Sequence, residues 1–162
     1  MNRVVITGMG IVSPIGNDLS AAWENVKAGK HGISFIEKLD ISNSDVKVAA
    51  QVKDFDPLKA FDKKELRRTD LFTQYAVEAC RQAMEDCGSD FKDLDPFRVG
   101  VIVGSGIGGF GTTETEHQKF LEKGSGRVSP FYIPMMISNM AAGTIAIKTG
   151  FKGVNYAPVT AC

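Results

Sequence analysis

The sequence carries no excess charge. Its 19 lysines and arginines balance 19 aspartates and glutamates, which excludes the overall basic field that draws a protein to nucleic acid or to an anionic membrane. Metal ligands are few: two histidines and three cysteines, in no metal-binding spacing, so neither a metal nor another cofactor is expected. An odd cysteine count argues against a disulfide framework and implies reduced thiols in the cytoplasm. No stretch approaches the ~18 consecutive apolar residues of a membrane span. The chain opens on a strand-like Arg3-Val4-Val5-Ile6 instead of a basic region with an apolar core, so no signal peptide is expected. The last absence is local. Acidic residues stop at Glu122, and beyond it only Lys123, Arg127, Lys148 and Lys152 are charged. So charge-poor a stretch reads as buried core or subunit interface.

What is present suffices for one ordinary domain: 162 residues, 43% of them hydrophobic. Val4–Ile6, β-branched and bounded by Gly8, predicts a strand, and a helix over 17–28 follows with Asn17 as N-cap and Gly29 just past its end. Ile33–Ile36 and Val46–Val52 read as short strands, and Pro57 opens a helical turn. From Leu71 to Cys87 apolar residues recur at helical spacing and Gly88 ends the run. Arg98–Val103 is the clearest strand, broken by Gly104-Ser-Gly-Ile-Gly-Gly109. A polar helix over 112–123 comes next, then a stiff connector with Pro130 and Pro134, a helix over 135–148 and a final strand. Strands alternating with helices predict an α/β fold with a largely parallel sheet.

Two glycine loops invite a nucleotide. Gly104–Gly109 matches G-x-G-x-x-G between a strand and a helix, and Gly8-Met-Gly-Ile-Val-Ser13 nearly does. The first lacks the acid about 20 residues on that would bind a ribose. The second has Ser13 for its third glycine, and Pro14-Ile-Gly16 delays its helix. Tight turns or close backbone packing explain both. Cys80 and Cys87, on one helix face, read as small core residues, and His31 and His117 as surface residues. The cluster Lys63–Arg68 reads as a solvated helix start, with a docking patch for an acidic partner as the sharper alternative.

The run Gly153-Val-Asn-Tyr-Ala-Pro-Val-Thr-Ala-Cys162 has the form of a presented nucleophile: a β-prone segment, small neighbours, then a thiol. Ordered along the chain with it stand Val4–Gly16, Arg68–Ala76, Gly104–Gly109, Ser129–Pro134 and Asn139–Gly143. Together these stretches resemble the β-ketoacyl-[acyl carrier protein] synthases, condensing enzymes of type II fatty-acid synthesis. The resemblance implies a thiolase-like, layered α/β/α/β/α fold. Residues 1–162 would be the N-terminal portion of a ketoacyl synthase domain, with the C-terminal half outside this chain.

By that resemblance Cys162 is the nucleophile that holds the acyl chain as a thioester, and malonyl-carrier protein, once decarboxylated, attacks it. Two histidines that assist would come from the other half; His31 and His117 match neither. Ile107 falls on the position that gates longer acyl chains. Tyr132 and Ile133 fall on positions that line the acyl pocket from a partner subunit, and Tyr132 stands where the family usually has Phe. Lys64, Arg67 and Arg68 fall on the patch that docks acidic carrier protein, where opposite charge speeds and orients association. The implied partners are acyl- and malonyl-loaded acyl carrier protein and a second copy of the chain, with neither nucleic acid nor membrane. A ketosynthase of polyketide synthesis, which shares the same nucleophile and fold, is the near alternative. A nucleotide-binding module using Gly104–Gly109 is the more distant alternative.

Overall fold

A computed structural model of the chain describes residues 3–37 and 39–161. They gather into two compact units, Met1–Asp56 with Glu78–Gly88 and Pro57–Val77 with Ser89–Cys162.

In the first unit, helix α1 (Leu19–Lys27) is started by Asp18, whose carboxylate accepts from the Ala21 amide at 2.8 Å. The expected cap, Asn17, instead turns its side-chain amide to the Lys53 carbonyl at 2.6 Å. Asp18 wins because its backbone is extended and its oxygen reaches the third amide on, the geometry of an N-cap. Gly29, at φ 66°, closes the helix as expected. Strands β1 (Ile33–Phe35) and β2 (Val48–Ala50) pair antiparallel, Ile33 opposite Ala50. The expected strand at Val4–Ile6 forms no ladder among the described residues. Val4 is 92% and Ile6 81% exposed. The segment that follows is held by side chains instead: the Met9 amide donates to Asp86 at 2.9 Å and the Ile11 amide to Gln82 at 3.1 Å.

Helix α3 (Leu71–Cys87) follows the short α2 (Lys63–Leu66) and ends at Gly88, φ 68°. Its most buried residues are Thr73, Val77 and Glu78, a face rotated from the apolar stripe that the sequence predicts. Glu78 is tolerated there because Arg81 engages both of its oxygens, Nε and Nη2 each at 2.8 Å.

In the second unit β3 (Val101–Ile102) and β4 (Asn155–Tyr156) pair in parallel. β3 is shorter than the expected 98–103 because Asp95 caps a 3-10 turn over Pro96–Arg98. The pairing nevertheless runs on past it: the Val103 amide donates to Tyr156 O at 3.1 Å and the Ser105 amide to Pro158 O at 3.3 Å. Helix α4 (Phe110–Lys123) ends at Gly124, φ 80°. The expected stiff connector is itself partly helical. Helix α5 (Tyr132–Met136) contains Pro134 in its first turn, where no amide is needed. The expected helix 135–148 is thereby divided: the chain is extended at Ile137, and α6 (Met140–Thr149) begins after it. Ala141, Ala142 and Ile145 of α6 are buried, the two alanines small enough for close packing, with Phe61 and Val101 also buried. The rest of the charge-poor stretch is not core within this chain. Ile147 is 78% and Val154 71% exposed.

Candidate functional site

The site begins with backbone. β4 leads into Ala157–Ala161, and β3 into the glycine loop 104–109. Parallel pairing carries both exits the same way, so the two runs lie side by side. A Cβ built on Gly106 would stand 3.5 Å from the Ala161 Cβ, and one on Gly104 3.9 Å from Pro158. Cys162 lies outside the described residues, but the five residues before it pass along the loop that carries Ile107. Ile107 is 67% exposed.

The far end of the loop is anchored on the α5 segment. The Gly109 amide donates to Met136 O at 2.8 Å. Gly108, at φ 85°, leaves no room for a Cβ, which would collide with that same carbonyl and lie 3.0 Å from the Ser138 nitrogen. Both conditions demand glycine. Tyr132 is half-buried and Ile133 exposed, both on α5. The loop of Ile107 and the segment of Tyr132 and Ile133 are thus joined through Gly108, Gly109 and Met136.

The basic cluster lies beside the same segment. Lys64, Arg67 and Arg68 are all exposed, on and just after α2. A capping box starts that helix: Asp62 accepts from Lys64 and Glu65 amides at 2.7 Å, while Glu65 accepts from the Asp62 amide at 2.9 Å. Glu65 also pairs with Lys148 of α6 at 2.8 Å. That ammonium, and then the Asp62 amide, hold its carboxyl below the usual carboxylate range. Lys148 in turn lies over the Phe61 ring, 4.6 Å from its centroid. Arg68 is not a free charge: its guanidinium stacks on Phe131 at 4.4 Å. Phe131 immediately precedes Tyr132.

Two acids that the sequence reading passed over organise this region. Asp70 accepts from the Phe72 amide at 3.2 Å through one oxygen. Its other oxygen accepts from the Thr112 amide at 3.1 Å and the Thr112 hydroxyl at 2.5 Å. Glu116 is 5% exposed and accepts from Lys119 at 2.5 Å and the Ser129 amide at 2.7 Å. The Lys119 ammonium, then the Ser129 amide, pull its carboxyl below the usual range. Both acids line a cavity of about 730 Å³, with Arg67, Lys119 and Met135. A search for apolar periodicity misses Thr112 and Glu116 because this buried stripe of α4 is polar; their i, i+4 spacing was the available signal.

The same geometry removes the nucleotide reading. A pyrophosphate would need the loop amides and the start of α4. Gly109 and Ser105 amides go to carbonyls, the Gly108 amide to the Ser105 hydroxyl at 3.1 Å, and the Asp70 carboxylate sits at the helix start. The Gly8 loop is likewise closed by packing: a Cβ on Gly8 or Gly10 would run into the Ala83 or Ala79 carbonyl of α3. Both histidines are exposed. Burial pushes the Cys80 thiol up, away from reactive thiolate. Among the described residues no group of three or more His, Cys, Asp or Glu could hold a metal ion, and no helix is long and apolar enough to cross a membrane.

Comparison with known proteins agrees with the resemblance. The 3-oxoacyl-[acyl-carrier-protein] synthase 2 of Staphylococcus aureus is 49% identical over 160 residues, which cover 99% of this chain and 39% of that protein. The chain therefore spans about two fifths of the length of the curated relatives it matches. Among solved structures, the ishigamide ketosynthase/chain length factor superposes with a TM-score of 0.88 at 25% identity, covering 98% of this chain and 40% of that one. AntDE:AntF, a type II PKS acyl-carrier protein in complex with its ketosynthase bound to the hexaketide, gives 0.75 at 26% identity, over 91% of this chain and 39% of that one. The fold is thus the thiolase-like α/β fold of the ketosynthases. A family model described as beta-ketoacyl synthase, N-terminal domain, matches residues 1–162, and the chain belongs to that family.

Proposed function

We propose that the protein carrying this chain is a fatty-acid condensing enzyme, a β-ketoacyl-[acyl carrier protein] synthase, and that the chain supplies its nucleophile and part of its acyl pocket. The observation that carries the reading is the meeting of two runs: the segment leading to Cys162 lies against the glycine loop that holds an exposed Ile107. In the first half-reaction the Cys162 thiolate attacks the acyl carbonyl and the carrier's thiol leaves, giving an acyl-enzyme thioester. In the second, malonyl-carrier protein loses carbon dioxide. The resulting carbanion attacks the thioester carbonyl and expels the Cys162 thiolate, leaving a β-ketoacyl chain two carbons longer on the carrier.

Ile107 is the gate in this reading, and Tyr132 and Ile133 line the pocket of the neighbouring subunit in a homodimer. Lys64, Arg67 and Arg68 meet the acidic carrier protein; their exposure keeps them within reach of it. The protein acts in the cytoplasm. The exposed apolar residues of β3 and of the first residues, Ile102, Val4 and Ile6, fit a chain whose remaining layers come from elsewhere in a longer enzyme.

The decisive experiment is intact mass after incubation of the full-length enzyme with acyl-loaded carrier protein. A gain of one acyl group, lost in Cys162→Ala, is the expected result; an acylated Cys162→Ala enzyme removes Cys162 as the nucleophile. A polyketide ketosynthase is the second reading, favoured by the superposition on the ishigamide and AntDE structures. Repeated condensation without ketoreduction, giving a poly-β-ketone, would select it.

A further inference from the structure

We infer that Asp70 is a positioning residue for the loop that carries Ile107, and through that loop helps set which acyl lengths the site accepts. The inference rests on the gating role proposed for Ile107. It starts from exposure. Within this chain Ile107 is 67% exposed, so what this chain contributes to its position is the backbone beneath it. That backbone is short and pinned. Upstream it leaves β3 with the Ser105 amide on Pro158 O, and the Ser105 hydroxyl then holds the Gly108 amide at 3.1 Å. Downstream the Gly109 amide is on Met136 O, and the first turn of α4 is held by Asp70.

The Asp70 carboxylate serves two helix starts at once. One oxygen takes the Phe72 amide at the start of α3, the other the amide and hydroxyl of Thr112 at the start of α4. Each helix start offers unpaired amides and a partial positive charge, so one anion satisfies both. Thr112 is 8% exposed, so water does not readily replace the bond. The fit is close as well: a Cβ on Gly109 would stand 2.9 Å from the Asp70 carboxylate oxygen. Removing the anion frees the start of α4, widens the excursions of the loop, and lets Ile107 obstruct long chains less.

The test uses the full-length enzyme and the ratio of kcat/KM for long against short acyl thioesters. Asp70→Asn must aim an N–H at either the Phe72 or the Thr112 donor, so at least one bond is lost. We expect the long-to-short ratio to rise about threefold or more, as loss of a charged hydrogen bond allows. Hydrogen exchange of the 106–112 amides should quicken about tenfold, since that segment opens locally. Thr112→Val should move both readouts the same way by less, and Thr112→Ser should keep the wild-type ratio. If Asp70→Asn fails to fold, Thr112→Val decides by the same two readouts. An equal loss on both chain lengths, with Ile107→Phe still shifting the ratio, overturns the inference alone and leaves Asp70 merely structural. A flat ratio in Ile107→Phe removes the gate, and the inference with it.

Discussion

The chain contains two glycine loops of nearly the same sequence, and they do different things. Around Gly8 and Gly10 the backbone presses onto helix α3, and its amides go to Asp86 and Gln82 of that helix. Around Gly104–Gly109 the backbone leaves a parallel strand, runs beside Pro158 and Ala161, and stops against Met136 and Asp70. At Gly8 and Gly10 of the first loop, and at Gly108 and Gly109 of the second, another backbone comes too close for a Cβ. Only the second lies along the run that leads to Cys162, the proposed nucleophile. A glycine motif therefore reports close approach, and what approaches decides whether it has chemistry.

The largest expected effect breaks that comparison at its exposed side chains. Ile107→Phe should lower kcat/KM for long acyl chains about tenfold more than for short ones, the scale on which a pocket discriminates by one or two methylenes. Met9 is the 51% exposed side chain of the first loop, at the place of Ser105 in the second, and Met9→Phe should leave the chain-length ratio unchanged. A shift in both variants would show that the loops are not functionally distinct.

The next contrast is in stability. Gly108→Ala should destabilise by roughly 2–5 kcal/mol, adding a left-handed backbone penalty to overpacking against Met136 O. Gly8, which lacks the positive φ, should lose about 1–3 kcal/mol as Gly8→Ala through overpacking alone. Urea denaturation midpoints measure both, and an equal loss would remove backbone strain as the difference.

The smallest effect concerns acid. Glu116, near the second loop's helix, has its carboxyl held below the ordinary 4.5 by Lys119 and the Ser129 amide. A depressed carboxylate contributes stability that is full above the unfolded pKa and is lost as pH falls through the folded one. Glu116→Gln should therefore lower stability at neutral pH and flatten its decline below about pH 4.5. Melting temperature against pH reads this directly, and parallel curves for both proteins would exclude Glu116.

Local signals were legible in the sequence wherever one residue decides a local event. Gly29, Gly88 and Gly124 end helices because a positive φ, which glycine adopts without strain, takes the chain out of the last turn. The turn at Pro57 and the two strands of the first unit follow from similar local chemistry. The family too was legible, because its stretches stand in order along the chain. The identity of a cap was not: Asn17 and Asp18 are both good capping residues, and only the path of the backbone selects Asp18. Nor was the division of the 135–148 helix, because Pro134 is compatible with a first turn and the tertiary environment of Met136 placed the break.

Sequence by itself determined the long helix Leu71–Cys87 and the glycines that end helices, and its resemblance to a family nominated Cys162, Ile107, and Lys64, Arg67 and Arg68 for their proposed roles. These depend on residue type and order. Tertiary structure alone decided that Asp70 spans two helix starts, that buried Glu116 takes the Ser129 amide, and that Arg68 rests on Phe131. Such contacts join residues apart in the chain through polar atoms or an aromatic face. No hydrophobic period marks them, so only the folded backbone brings them together.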